Sequence, residues 1–416
     1  MAERRRGIDR QQVIAGLFIL LGVGLMTFYL PQLGSPEPQI TKLGFGPGRA
    51  LVVDFPTTLT MLLLGLLYLV SGALQFVPQT QQLARVLMWV STATFFVAVL
   101  VPTAAGKQTN VYTLAAETLR LATPLALGAL AGIFAERSGV VNIAIEGMML
   151  IGAGFGFAAF VATNNIWLGV VAAMLAGGML SLLHATLSIS FRSDQVISGT
   201  AMNLLAFGLT GYVRRSFLVD SSGGRVTMPE LALPVLSQIP ILGPLIFTGK
   251  PIFLGMLIMV PLAHLIFFYT RWGLRTRAVG EKPSAADTVG INVARRRYIS
   301  VLVSGLIAGL AGAWFSLETV GAFDDGMTAG KGFIALAAVI FGKWMPFGAF
   351  GGALLFGYTD ALATRFQILK VEAFGFPVPT QFLQILPYLV TMVVLAGLIG
   401  RAIGPAALGQ PYDKRT

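Results

Sequence analysis

The sequence predicts an all-α, polytopic membrane protein, and three observations carry that prediction. Apolar residues fill 55% of the 416 positions and charged residues only 11%, with a mean hydropathy of +0.78, whereas soluble domains carry about a quarter of their residues as charge. Apolar windows of about 20 residues, the length that crosses a ~30 Å hydrocarbon layer, recur along the chain. The 29 Lys and Arg cluster in short stretches beside those windows, as the positive-inside bias requires. That clustering explains the net charge of +11 without invoking nucleic acid.

The first window, 11–30, follows Arg4, Arg5 and Arg6 and imitates a secretory signal. Its apolar run from Val13 to Leu30 is longer than a signal core, and no small-x-small cleavage site precedes Pro31, so it reads as a retained helix. Further windows fall at 57–77, 86–104, 118–135, 142–162, 166–190, 196–216, 251–270, 299–318, 347–366 and 381–400, with a shorter run at 333–343. Taking the short run as a crossing gives about 12 transmembrane segments and puts 18 of the 29 basic residues on the side of both termini and of the stretch 271–298. That side is therefore expected to be cytoplasmic. Omitting it strands Arg401, Lys414 and Arg415 outside, so 333–343 is expected to be a short or broken helix.

Composition divides the chain into 1–105 and 106–416. The first part holds three apolar spans and a Gly/Pro-rich connection from Pro31 to Pro56, and it reads as an accessory bundle. The second is the core, whose spans carry embedded Asn, Glu and Asp. Gly128/Gly132, Gly152/Gly156, Gly305/Gly309 and Gly348/Gly352 are four apart and mark faces where helices approach closely.

An ionisable group within a span is costly and faces a cavity or a partner. Asn142 and Glu146, four apart, are expected on one face of one helix. Two readings of Glu146 are open: a helix-start residue pairing with Arg137, or, with Asn142, a group that lines or stabilises a polar pathway. Asn203 is a further candidate, for helix-to-helix bonding or for the pathway. Glu318 reads as solvated near the outer surface. Asp360 reads as locally paired with Thr364 and Arg365. With no Cys, thiolate sites and disulfides are excluded, and the two histidines, His184 and His264, read as structural.

The most informative stretch is the polybasic 271–298, with GEKPSAADTVGI from Gly280 to Ile291 at its centre. Gly280 and Pro283 should break the preceding helix, Ser284 should cap, and a short helix over 285–289 should end at Gly290. Such a helix fits a groove on a cytosolic subunit; its arginines equally fit anionic lipid headgroups. The chain has no GxxxxGK[ST], HExxH or GxSxG motif, so neither its own ATP-binding loop nor an enzyme is expected.

TLRLATPLALGALAGIFAERSGVVNIAIEGMMLIGA (118–153), ISGTAMNLLAFG (197–208), RAVGEKPSAADTVGINVARRRYISVLVSGLIAGLAGAW (277–314), GFIALAAVIFGKWMPFGAFGGALLFG (332–357) and GPAALGQPYDKR (404–415) together resemble the permease subunits of bacterial ABC-type importers for simple sugars and nucleosides, most closely the nucleoside branch. The resemblance implies a type II-like permease core in the bacterial cytoplasmic membrane, moving a small polar solute inward. It implies a coupling helix at Ala278, Gly280, Glu281, Pro283, Ala285, Ala286, Asp287, Gly290 and Ile291 that docks on an ATPase subunit. It also implies a second permease, identical or homologous, and an extracytoplasmic binding lipoprotein. ATP and Mg would then belong to the partner ATPase, with no cofactor or metal on this chain. Residues 1–105 are an addition to that pattern. A secondary transporter would show broken helices and acidic or His relays in both halves, for which only Asp360 and Glu146 stand as candidates; a scaffold without transport is a third class.

Overall fold

A computed structural model describes residues 10–35, 39–47, 51–219, 226–370 and 402–413, together with 372, 373, 376, 377, 379, 381, 382 and 385. Among these, eight helices are long and apolar enough to cross a membrane. The expected window 381–400 and the two chain ends lie largely outside the described residues. The described residues form two compact units, one from 1–115 with 362–400 and one from 116–361 with 401–416.

The first unit is built on α1 (Arg10–Tyr29), α2 (Thr57–Leu74) and α3 (Gln81–Thr103). The helices α1 and α2 cross where Gly22 lies against the backbone at Gly65 and Gly72 lies against Ala15. Phe18, Met61, Leu64, Tyr68 and Val101 form the core beside that crossing. The Gly/Pro-rich connection contains strands: β1 (Ile40–Gly44) and β2 (Val52–Pro56) are antiparallel, and β3 (Gln108–Asn110) runs parallel to β1. Strand pairing gives that stretch's backbone groups their partners, which composition alone could not reveal.

The second unit runs in order through α4 (Val111–Glu136, whose first turn belongs to the other unit), α5 (Ile145–Thr163), α6 (Ile166–Ala185), α7 (Gln195–Val213), the short α8 (Leu242–Ile246) and α9 (Pro251–Tyr269). It continues with α10 (Arg271–Glu281), α11 (Pro283–Thr288), α12 (Val293–Ala313), α13 (Lys331–Phe341) and α14 (Pro346–Leu369, whose last two turns belong to the other unit). Wide π-type turns extend α6, α7 and α12 to Ser190, Leu218 and Val320.

At its centre α5, α6 and α12 pack backbone to backbone. A Cβ added at Gly152 would lie 2.6 Å from Gly309 O, one at Gly309 2.2 Å from Ala173 O, and one at Gly177 2.4 Å from Gly305 O. Small residues permit that approach where lipid supplies no hydrophobic drive between helices. Gly128 and Gly132 serve the contact of α4 with Ala335 and Val339 of α13.

Chain direction separates two ends. The links 137–144 and 191–194, the stretch 271–292 and the tail 402–413 share one end, since Gly280 meets Arg137 and Arg192 meets Asp413. Residues 227–228, 250–253 and 317–325 share the other, where Met228 N donates to Leu317 O at 3.0 Å. The helix α13 is half a crossing: 11 residues rise ~16 Å, and the irregular 321–330 supplies the rest of the path. The short or broken helix expected at 333–343 is this element. Both α3 and α14, of 23 and 24 residues, also occupy expected windows.

Candidate functional site

The polybasic stretch is three helices, not a loop. Thr270 caps α10 by accepting from Gly273 N at 3.2 Å, and Asn292 caps α12 by accepting from Arg295 N at 2.9 Å, so both helices start at residues suited to the task. Two local expectations are corrected. Gly280 does not break its helix, which continues to Glu281; an added Cβ there would lie 2.3 Å from Arg137 O, so the glycine serves close approach. Ser284 is not a cap: α11 starts at Pro283, in the first helical position where a missing N–H costs nothing, after Lys282.

The expected stop at Gly290 is present, with φ of 81°. Gly290 N donates to Asp287 O at 2.9 Å and Ile291 N to Ala286 O at 3.0 Å, the paired bonds of a Schellman C-terminus, which needs a left-handed residue at this position. This folds Ile291 back beneath α11, so that Ala286 packs against Val279 and Val293, with Ala278, Ile291 and Tyr412 alongside. Ala286 is therefore an inward anchor. Glu281, Ser284, Ala285, Thr288, Val289 and Gly290 are exposed, and Val289, at 74%, is a bare apolar tip. Beside it Arg275, Arg295, Arg296 and Trp272 line a cleft of about 570 Å³, with Arg296 over the Trp272 ring at 5.6 Å.

The tail 402–413 closes the other side. Tyr412 OH donates to Asp287 Oδ2 at 3.0 Å; partial burial, and then that carboxylate, raise the phenol above its ordinary value, so the hydroxyl keeps the proton it donates.

Behind this element lies the link 137–144, where a second expectation fails. Asn142 and Glu146 do not share a helix, because α5 starts only at Ile145. Neighbouring side chains take up the link's backbone groups. Gln195 Oε1 accepts from Val141 N at 2.7 Å, and His184 Nε2 lies 3.0 Å from Val141 O. A carbonyl only accepts, so Nε2 carries hydrogen, and in the neutral ring Nδ1 accepts from Ser198 Oγ at 3.0 Å. Asn203 bridges Ile143 O and Gly147 N at 3.1 and 2.8 Å. Asn142, fully buried, donates to Ser304 Oγ at 2.8 Å.

Glu146 does not pair with Arg137, which donates instead to Trp344 O at 3.0 Å. Its carboxylate accepts from Thr328 Oγ1 at 2.6 Å, Gly330 N at 2.9 Å and Gly332 N at 2.6 Å. The starts of α5 and α13 thus converge on one carboxylate, placed where two positive helix ends meet. The depth is inside the bundle: Ile145 packs level with Gly128 and Gly132 of α4. Asn142, Glu146 and Asn203 each bond groups at or beside interrupted helix ends.

Glu318 corrects a third expectation. It is buried, not solvated, at 2% exposure, and it accepts from Ile252 N and Phe253 N at 2.6 and 3.2 Å, at the start of α9. Asp360 pairs with Lys331 across α13 and α14, and Arg365 donates to Thr113 at 2.8 Å, long-range partners that the sequence did not show. Among the described residues no group of acidic or His side chains could hold a metal ion.

Interrupted helices are thus pinned by carboxylates, and a small rigid helix is presented at the polybasic end. A family model described as branched-chain amino acid transport system / permease component matches residues 114–395. The chain belongs to that family of transport permeases. It is 42% identical over 308 residues to the guanosine ABC transporter permease protein NupQ of Bacillus subtilis, covering 71% of this chain and 95% of that one. It is 40% identical over 313 residues to the nucleoside ABC transporter permease protein NupC of Lactococcus lactis, covering 72% and 96%. A putative glucose ABC transporter permease protein of Haloferax volcanii, TsgC13, is 36% identical over 319 residues, covering 71% and 96%. No solved structure matches. The permease is a multi-pass membrane subunit of an ABC transporter and not an enzyme; ATP hydrolysis resides in a separate subunit. The stretch before residue 114 lies outside the family match.

Sequence reasoning missed Gln195, Ser304 and Arg297 as holders of the link. The triplet Arg295-Arg296-Arg297 offers no sign that its third member turns inward. At ~100° per residue the three positions face different directions, and only packing decides which of them turns inward.

Proposed function

We propose that this chain is the nucleoside-conducting permease of an ABC importer, and that α11 is the element through which its ATPase acts. The similarity to two permeases named for guanosine and nucleosides, at 42% and 40% identity, supports the solute class. The observation that carries the coupling role is the geometry of α11. A helix anchored inward by Ala286 and locked by Gly290 presents Ala285 and Val289 outward, beside Arg275, Arg295 and Arg296. A rigid apolar tip with a basic flank fits a cleft with an apolar floor and an acidic rim, so Ala278, Gly280, Glu281, Pro283, Ala285, Ala286, Asp287, Gly290 and Ile291 divide into an inner brace and an outer contact.

In this reading a binding protein delivers solute at the end of the unit that holds 227–253, and nucleotide-driven closure of the ATPase pair moves α11. The interrupted helices around Glu146, Asn142 and Asn203 then change state together, which requires different contacts in the two states. The polybasic end and both termini are cytoplasmic, a second permease completes the pathway, and ATP with Mg sits on the ATPase. Residues 1–105 act as an accessory bundle.

Val289→Asp should abolish co-purification of the ATPase without shifting the permease's melting temperature. Retained association would remove α11 from the interface. Deleting the gene should abolish uptake of labelled nucleosides. Loss of a simple sugar's uptake with nucleoside uptake intact would move the assignment to the sugar branch, which the 36% identity to the putative glucose permease makes the second reading.

A further inference from the structure

The tail 402–413 has no regular structure, yet its backbone groups are spent on other elements. Ala407 N donates to Gly280 O at 2.9 Å and Gly409 N to Gly139 O at 3.1 Å. One short turn of tail, closed by Leu408 N to Pro405 O at 3.0 Å, therefore bridges the end of α10 to the link that precedes α5. Arg297 forks across the same junction from α12, with Nε on Ser138 O at 3.2 Å and Nη1 on Gln410 O at 2.9 Å. It is 1% exposed, the largest fully buried side chain among the described residues. Further along, Ala406 N reaches Glu281 Oε2 at 3.2 Å, Tyr412 holds Asp287 of α11, and Asp413 pairs with Arg192 of the α6–α7 turn at 2.7 Å.

Backbone at a protein's surface normally finds water. This tail instead joins α10, α11, α12, the link 137–144 and the α6–α7 turn. Gly139, with φ of 91°, and Gly409, with φ of 78°, hold the two left-handed corners that let the chains meet.

We propose that residues 405–413 are a clasp that transmits displacement of α11 to the link 137–144, and through it to the convergent helix starts at Glu146. The proposal rests on the reading of α11 as the coupling helix and adds to it the route taken inside the permease. The outer tip of α11 is the surface offered to the ATPase, whereas the tail spends its hydrogen bonds on other elements of this chain. Without the tail, α11 keeps its inward packing on Val279 and Val293 but loses the bond from Tyr412 to its Asp287 and, through the tail, the link to Gly139. Tyr412 is thus a positioning residue, and the signature of its loss is uncoupling, not dissociation.

The test uses the complete transporter reconstituted in proteoliposomes, comparing wild type, a chain ending at Gly404, and Tyr412→Phe. Uptake of labelled nucleoside per ATP hydrolysed is measured, with the melting temperature of each permease as a control. Truncation should leave the ATPase associated and hydrolysing while uptake per ATP falls at least about ten-fold. Tyr412→Phe, which removes one hydrogen bond, should lower the ratio about two- to ten-fold with melting within about 1 °C of wild type. Should the truncated chain fail to purify, Tyr412→Phe decides alone. An unchanged ratio in Tyr412→Phe overturns the clasp, as does loss of ATPase association on truncation, which would make the tail a docking surface. If Val289→Asp retains ATPase and full uptake, the coupling reading of α11 fails instead, and the two failures are told apart by which variant behaves as wild type.

Discussion

Replacing Glu146 by Gln changes almost no volume and removes one charge, so its effect isolates what the carboxylate does at the start of α13. The two oxygens accept from Thr328 Oγ1, Gly330 N and Gly332 N. An amide supplies one accepting oxygen and one NH₂ group. With NH₂ at the Oε2 position, Gly332 N–H faces a donor; with NH₂ at Oε1, the Thr328 hydroxyl can turn to accept but Gly330 N–H cannot. Either orientation orphans one backbone donor, at about 1–3 kcal/mol. The lost charge at two helix N-termini adds about 0.3–2 kcal/mol, for a total of roughly 1–5 kcal/mol. At about 2–4 °C per kcal/mol for a unit of this size, the melting temperature should fall by roughly 3–20 °C. Tryptophan-fluorescence melting of detergent-purified permease measures this directly. Glu146→Asp, whose chain is one methylene shorter, should fall comparably. A shift under about 1 °C in Glu146→Gln would refute the reasoning, because it would mean that no backbone donor depends on the second oxygen.

Other expectations follow the same geometry. Ala286→Arg should destabilise the permease itself by about 3 kcal/mol or more, because the position is 2% exposed and a buried unpaired charge is costly, so expression drops. Ala285→Arg, one residue away and exposed, should leave melting unchanged and abolish uptake; equal melting losses in the two would show that α11 is seated differently. Gly309→Ala places a Cβ 2.2 Å from Ala173 O at the α6–α12 crossing and should lower yield of folded protein several-fold, measured by size-exclusion of a fluorescent fusion. Glu318→Ala removes the acceptor for Ile252 N and Phe253 N and should cost about 2–4 kcal/mol, read as a melting shift comparable to that of Glu146→Gln.

The membrane class, the places of most spans and the short helix after Gly330 were legible because each rests on local composition. Apolar length measures the hydrocarbon it can cross, and Gly290 after a six-residue helix is a local stop signal. The ends of α11 were less legible: Pro283, not Ser284, sets the start, since a ring with fixed φ and no N–H outweighs a cap hydroxyl. Glu318 was misplaced because hydropathy reports distance along a helix and not whether another helix begins beside it.

By itself the sequence determined that this chain is a polytopic membrane protein and that one basic stretch carries a small rigid helix, since both follow from the residues' own preference for hydrocarbon, water or a particular φ. Only the tertiary structure decided that Asn142 precedes its helix, that Glu146 holds the start of α13, that Ala286 faces inward while Val289 faces out, and that a tail more than a hundred residues away ties Gly280 to Gly139. The physical reason is that a buried hydrogen-bonding group must find a partner, and where the partner comes from depends on which distant segment the packing brings within about 3 Å.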